Sequence, residues 1–212
     1  MVIIKDCSLC FHRFHHFYDI NHETSIKNEG LVQDLMILKF TSTLDQKPGT
    51  IAEILKLSYE RLISTEPGVW KQEEENWEQF DRDVFECPAT IGTCVFLSWW
   101  EDQLVGLGSY DPRQGPELGI IGHNCILPGF RGNGFGKQQI VKILSLFKAL
   151  GIGKTKVSTL EHPFFIPAQQ MYLSCGFQET KRIPWEGNPD IKKIEYEKKS
   201  VNRLMGQGKE RG

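Results

Sequence analysis

Apolar and polar positions along the chain follow two rhythms, a short alternation and a period near 3.6, and these set the expected elements. Residues 36–41 (MILKFT) read as a strand. Pro48 opens a helix to about residue 63, with Ile51, Ile54, Leu55, Leu57, Leu62 and Ile63 near helical spacing. Gly68 punctuates, and a second helix follows over 69–85, rich in Glu73, Glu74, Glu75, Glu78, Asp81 and Asp83. Residues 93–100 read as a strand, and the Glu101-Asp102 turn returns it as a hairpin into 104–110. A longer strand is expected over 117–127. The helix over 134–150 places Ile140, Ile143, Leu144, Phe147 and Leu150 on one face. A strand over 154–159, a short helix over 167–175 and an antiparallel pair over 177–183 and 191–199 complete the pattern. Interleaved strands and helices of this kind predict one α/β unit over 36–199.

The two ends differ from this unit. Four of the six histidines (His12, His15, His16, His22) and two of the six cysteines (Cys7, Cys10) fall in the first 35 residues. These are zinc-ligand types, but a structural finger separates its cysteine and histidine pairs by about a dozen residues. Here one residue separates Cys10 from His12, so a poorly ordered leader is the expectation and no metal site is assigned. Met36 is a candidate for the real start of the protein, because the segment from there reads immediately as a strand. Residues 200–212 form a polar tail.

Composition changes the picture mainly by exclusion. The chain has 212 residues, 25 basic and 27 acidic, for a net charge of -2, with 40% apolar residues. No apolar run reaches the roughly 18–20 residues that span a bilayer, and the N-terminus lacks the pattern of a secretory signal. No basic stripe offers itself to nucleic acid. Six cysteines in a chain of this length do not make a disulfide scaffold, and a reduced cytoplasmic location is expected.

The strongest chemical signal is the segment Leu127-Pro128-Gly129-Phe130-Arg131-Gly132-Asn133-Gly134-Phe135-Gly136-Lys137, between a strand and an amphipathic helix. Backbone N–H groups at a helix start lack internal partners, the helix dipole favours an anion there, and glycines let the backbone approach it. A diphosphate is the natural ligand, with Arg131 and Lys137 adding positive charge. A P-loop would need glycine where Arg131 stands and a hydroxyl where Gln138 stands. A dinucleotide fingerprint starting at Gly132 would need glycine where Lys137 stands.

Arg131-x-x-Gly134-x-Gly136 instead resembles the acyl-CoA loop of the GNAT superfamily of N-acetyltransferases. Ala168, Tyr172 and the Gly176-Phe177 pair resemble that family's second signature, one helix and one strand later. The resemblance covers about residues 36–199. It implies a mixed, mostly antiparallel sheet flanked by helices, in which two parallel strands, 117–127 and 154–159, splay apart around the cosubstrate. That cosubstrate would be acetyl-CoA, and the acceptor a small amine or peptide attacking the thioester directly. Backbone groups at Ile126 and Leu127 would bond the pantetheine arm, and an N–H near Ile126 could face the oxyanion. N–H groups of Arg131, Gly132, Asn133, Gly134, Phe135, Gly136 and Lys137 would hold the pyrophosphate.

Tyr172 is the candidate general acid by the same resemblance, since a phenol is protonated at neutral pH. Its alternative role is packing, with Ala168, Met171 and Cys175 on one face. The base is open among four residues. Glu117 opens the strand beside the gap. His123 shares its parity and has an imidazole suited to base chemistry, unless it is a satisfied core residue. Glu161 and His162 follow the second splayed strand, where Pro163 could equally make them part of a rigid turn. Many family members carry Asn where this chain has Phe165, so the usual contact to the CoA arm is in question. The acidic helix could attract a cationic acceptor or simply be a solvated face. A silent acyl-CoA-binding module is the alternative function, and the chain is expected to be a monomer or homodimer.

Overall fold

The computed structural model describes residues 36–200. The strand order is β1(Lys39–Ser42), β2(Val95–Trp100), β3(Gln103–Asp111), β4(Gly119–Ile126), β5(Lys154–Leu160), β7(Asn188–Lys199), β6(Gln178–Trp185), one seven-stranded sheet. Only β4 and β5 run parallel. The helices are α1(Thr50–Thr65), α2(Pro67–Glu86), α3(Phe135–Ala149) and α4(Ile166–Ser174). The mixed, mostly antiparallel sheet expected from the sequence is therefore present. No helix among the described residues is long and apolar enough to cross a membrane. The cysteines and histidines of the leader and the polar tail from 201 lie outside the described residues.

Element boundaries depart from expectation where local chemistry overrides the pattern. Gly68 does not interrupt the chain: Pro67 opens α2, and Glu66 alone separates it from α1. Proline suits a first helical position because its missing N–H would have no partner there. Strand β4 begins at Gly119 rather than at 117, and a short 3-10 turn, Gly92–Cys94, precedes β2.

The chain divides into two compact units. In the first, formed by described residues 36–108 and 125–135, α1 and α2 cover β2 and β3. Their shared core contains Ile51, Ile54, Leu55, Trp77, Phe80, Val84, Leu97 and Leu107. Tyr59 stacks on Trp77 at 5.2 Å. Asp81 belongs to this core and not to the solvated acidic face. Its carboxylate, 4% exposed, accepts from the N–H groups of Gly49, Ile51 and Ala52 at 2.7, 2.9 and 3.3 Å. It thus caps α1, whose own N-cap residue, Gly49, has no side chain to do so.

The second unit contains described residues 109–124 and 136–200. Strand β5 pairs with β7 along its whole length, from Lys154↔Lys199 to Leu160↔Lys193. Against β4 it pairs only at Gly119↔Thr155 and Ile120↔Lys156, after which the ladder stops. Helix α4 packs through Tyr172, whose ring meets Phe177 at 6.0 Å and Tyr196 at 5.9 Å.

Candidate active site

The glycine segment occupies the turn from β4 into α3. Leu127 leaves β4 extended, a single 3-10 turn covers Pro128–Phe130, and Arg131 is extended again. Gly132 and Gly134 then have φ of +83° and +76°. Only glycine takes this region at no steric cost, and a side chain at either position would be strained. Open space surrounds both: beyond the adjoining residues, no atom lies within 4 Å of where a Cβ would stand. The two glycines therefore lead an exposed backbone into the positive end of a 15-residue helix. The residues fit a diphosphate group.

The side chains of this segment have their own partners, separate from the backbone N–H groups expected to meet the pyrophosphate. Arg131 is exposed, yet its Nε donates to the Ile126 carbonyl at 3.0 Å, and its Nη2 donates to the Ser58 carbonyl of α1. The guanidinium ties the loop to α1. Leu127 N–H already donates to Val105 at 2.8 Å, so it is not available to a ligand arm. Phe135 is 1% exposed and sits with Leu38 and Val105, so its ring is core. The Asn133 amide turns back to the Phe130 carbonyl at 3.2 Å. Lys137 is exposed in the first turn of α3 and keeps its expected placement. Lys154 and Lys156 pair with Glu197 and Glu195 across β5 and β7.

In the second unit, Tyr172 lies on the buried side of α4, 5% exposed. Burial drives its phenol pKa up, opposed by an interaction with the Asn124 side chain. The hydroxyl thus carries its proton throughout the neutral range. Packing and acid chemistry are compatible here, because the ring is in the core while the hydroxyl has a polar neighbour.

The four base candidates have other surroundings. His123 is 5% exposed, and burial pulls its pKa down to about 3. An imidazole of such low basicity is a weak proton acceptor at neutral pH. Glu117 is exposed in the turn before β4, not on the strand. Glu161 is ion-paired with Arg182, which also binds Glu179. His162 caps the following 3-10 turn: its Nδ1 accepts from Phe164 N–H at 3.2 Å. A neutral ring accepting at Nδ1 carries its proton on Nε2, so the remaining nitrogen donates. The structure thus gives three of the four a bonding or packing role, as it does for Arg131. Among the described residues no group of three or more His, Cys, Asp or Glu side chains could hold a metal ion.

Two contributors were missed. Ser58 and Asn124 bear on the loop and on Tyr172, yet neither lies in a motif. For Asn124 the parity of β4 was a usable signal; for Ser58, whose backbone carbonyl is what matters, none existed.

The model of the acetyltransferase (GNAT) family matches residues 53–177, more than half of the chain. The match spans the glycine turn, β5 and the helix carrying Tyr172, and the chain belongs to the GNAT acetyltransferase family. No curated protein matches it. Among solved structures, it is similar to a candidate GNAT-family acetyltransferase from Desulfovibrio desulfuricans, at 14% identity and TM-score 0.61, covering 77% of this chain and 99% of that one. A Bacillus subtilis acetyltransferase in complex with CoA is 13% identical with TM-score 0.51, over 78% of this chain and all of that one (100%). The candidate acetyltransferase yncA from Salmonella typhimurium, solved with its cofactor acetyl-CoA, is 11% identical with TM-score 0.52, over 81% and 98%. At these identities the likeness is one of fold.

Proposed function

We propose that this protein transfers an acetyl group from acetyl-CoA to an amine acceptor, a small amine or a peptide. The observation that carries the reading is the β4–α3 turn, with left-handed Gly132 and Gly134 opening onto a helix N-terminus. The acetyl-CoA bound in the Salmonella structure and the CoA bound in the Bacillus one support the cosubstrate.

Backbone N–H groups of residues 132–137 hold the pyrophosphate, and Lys137 adds a cation beside it. Arg131 keeps the turn in place from behind. Bound acetyl-CoA supplies an activated thioester, which the neutral amine attacks directly. Tyr172 is the general acid: its protonated phenol gives the departing thiolate a proton. No base role is assigned to His123, because of its burial, or to Glu161 and His162, because of their partners. Glu117, exposed in the turn before β4, is left to take the amine's proton, directly or through water. The acidic helix, with Glu73 pushed up in pKa by burial and Glu78 bound to Lys56 at 2.6 Å, favours a cationic acceptor only through its remaining exposed carboxylates.

The test is thiol release from acetyl-CoA across a panel of amines and peptide N-termini. Acceptor-dependent release, slowed about 10²-fold or more by Tyr172→Phe with CoA affinity kept, supports the reading. CoA binding without release on any acceptor would mark a silent acyl-CoA module. Unchanged turnover in Tyr172→Phe would remove the acid assignment.

A further inference from the structure

Strand β4 sorts its side chains by depth: Ile121, His123 and Cys125 are buried, while Gly122, Asn124 and Ile126 are half-buried. The main chain at this point is held by a side chain. Ser109 Oγ accepts from His123 N–H at 2.7 Å and donates to the His123 carbonyl at 3.4 Å. Fixing His123 in this way fixes the direction in which its neighbour Asn124 projects. Asn124 lies beyond Ile120↔Lys156, the last pairing of β4 with β5. Its side chain interacts with the Tyr172 hydroxyl and opposes the effect of burial there. Its Oδ1 is buried and has no hydrogen-bond partner. A carboxamide offers two donors on nitrogen and an acceptor on oxygen. Here the oxygen is an acceptor shielded from water with no donor, a state that buried polar groups rarely keep.

We propose that Asn124 is a positioning residue with two tasks. Its Nδ2 donates to the Tyr172 oxygen, so that the phenol's own proton is directed away from Asn124 toward the leaving group. Its Oδ1 accepts an N–H from the bound substrates. This inference rests on the reading of Tyr172 as the general acid. When the carbon–sulfur bond breaks, the phenol proton goes to sulfur, and the Nδ2–H bond stabilises the phenolate until it is reprotonated from solvent. The proton lost by the amine balances the one gained by sulfur. The N–H that meets Oδ1 belongs either to an amide of the CoA arm or to the acceptor amine, which share the same donor chemistry.

A double-mutant cycle tests this. Asn124→Ala and the isosteric Asn124→Asp, which cannot donate when ionised, are made alone and with Tyr172→Phe, with thermal melts to confirm folding. In the presence of Tyr172 each is expected to lower kcat about tenfold; in the Phe background, less than about twofold, as coupled residues require. Equal losses in both backgrounds would overturn the first task. Calorimetry with CoA and KM for the acceptor identify the N–H. Weaker CoA binding by Asn124→Ala assigns it to the arm, and a raised acceptor KM with unchanged CoA affinity assigns it to the amine. If neither moves, the second task is overturned. Full activity in Tyr172→Phe alone would remove the general acid and the first task with it. A slowed Tyr172→Phe with an additive cycle would remove only the role of Asn124.

Discussion

Replacing Asp81 tests whether α1 is held by a cap borrowed from α2. The carboxylate receives three backbone N–H groups at 2.7, 2.9 and 3.3 Å, in a site where Asp81 is 4% exposed. Hydrogen bonds to a charged group are worth about 1.5–3 kcal/mol each, and the donors left behind in Asp81→Ala would be largely sealed from water. Two short bonds and one long one, less the desolvation that the buried charge no longer suffers, give a loss of about 3 kcal/mol. Asp81→Asn keeps one acceptor but turns an NH2 toward a donor, and should lose about 2 kcal/mol. Urea unfolding at neutral pH is the assay. With a slope of about 2 kcal/mol/M, the alanine variant's midpoint falls by about 1.5 M with the slope unchanged. Glu78→Gln, which breaks only the exposed pair with Lys56, serves as control and should leave the midpoint where it is. A loss below about 1 kcal/mol for Asp81→Ala, or an asparagine variant as stable as the parent, would refute the capping argument.

Two other perturbations address the site. His123, with its pKa lowered by burial to about 3, must be neutral in the folded chain, whereas the unfolded chain protonates it near 6.5. Its contribution is complete above about pH 6.5 and is lost as pH falls toward 3, at up to about 1.4 kcal/mol per unit. Between pH 6.5 and 5 the parent should lose about 2 kcal/mol more than His123→Gln in chemical unfolding, and parallel curves would contradict this. Arg131→Gln cannot reach both the Ile126 and Ser58 carbonyls, so the loop loosens and CoA affinity should fall about tenfold, with no change in its dependence on salt. A flattened salt dependence in calorimetry would show that the guanidinium pairs with phosphate after all.

The contrast between Arg131 and Gly134 shows why one motif was only half legible. A glycine in a left-handed turn is needed for a local reason, backbone sterics, so its role can be read from the residue type and its neighbours. An arginine's role depends on what its long side chain meets, and that was the carbonyl of Ser58, far away in sequence. The surroundings of three base candidates were hidden for the same reason. Residue type suggested proton chemistry for His123, Glu161 and His162; burial, Arg182 and the Phe164 N–H respectively gave them other surroundings.

Local chemistry in the sequence was enough to determine the order of strands and helices, the glycine turn into α3 and the placement of Tyr172 on a helix after β5. Hydrophobic period and backbone sterics act over a few residues, and the chain displays them directly. Tertiary structure alone decided that Asp81 caps a helix about 30 positions away, that the Arg131 guanidinium reaches the Ser58 carbonyl, and that Asn124 stands beside the Tyr172 hydroxyl. Burial and hydrogen bonding between distant segments depend on which surfaces meet, and no window of sequence contains that information.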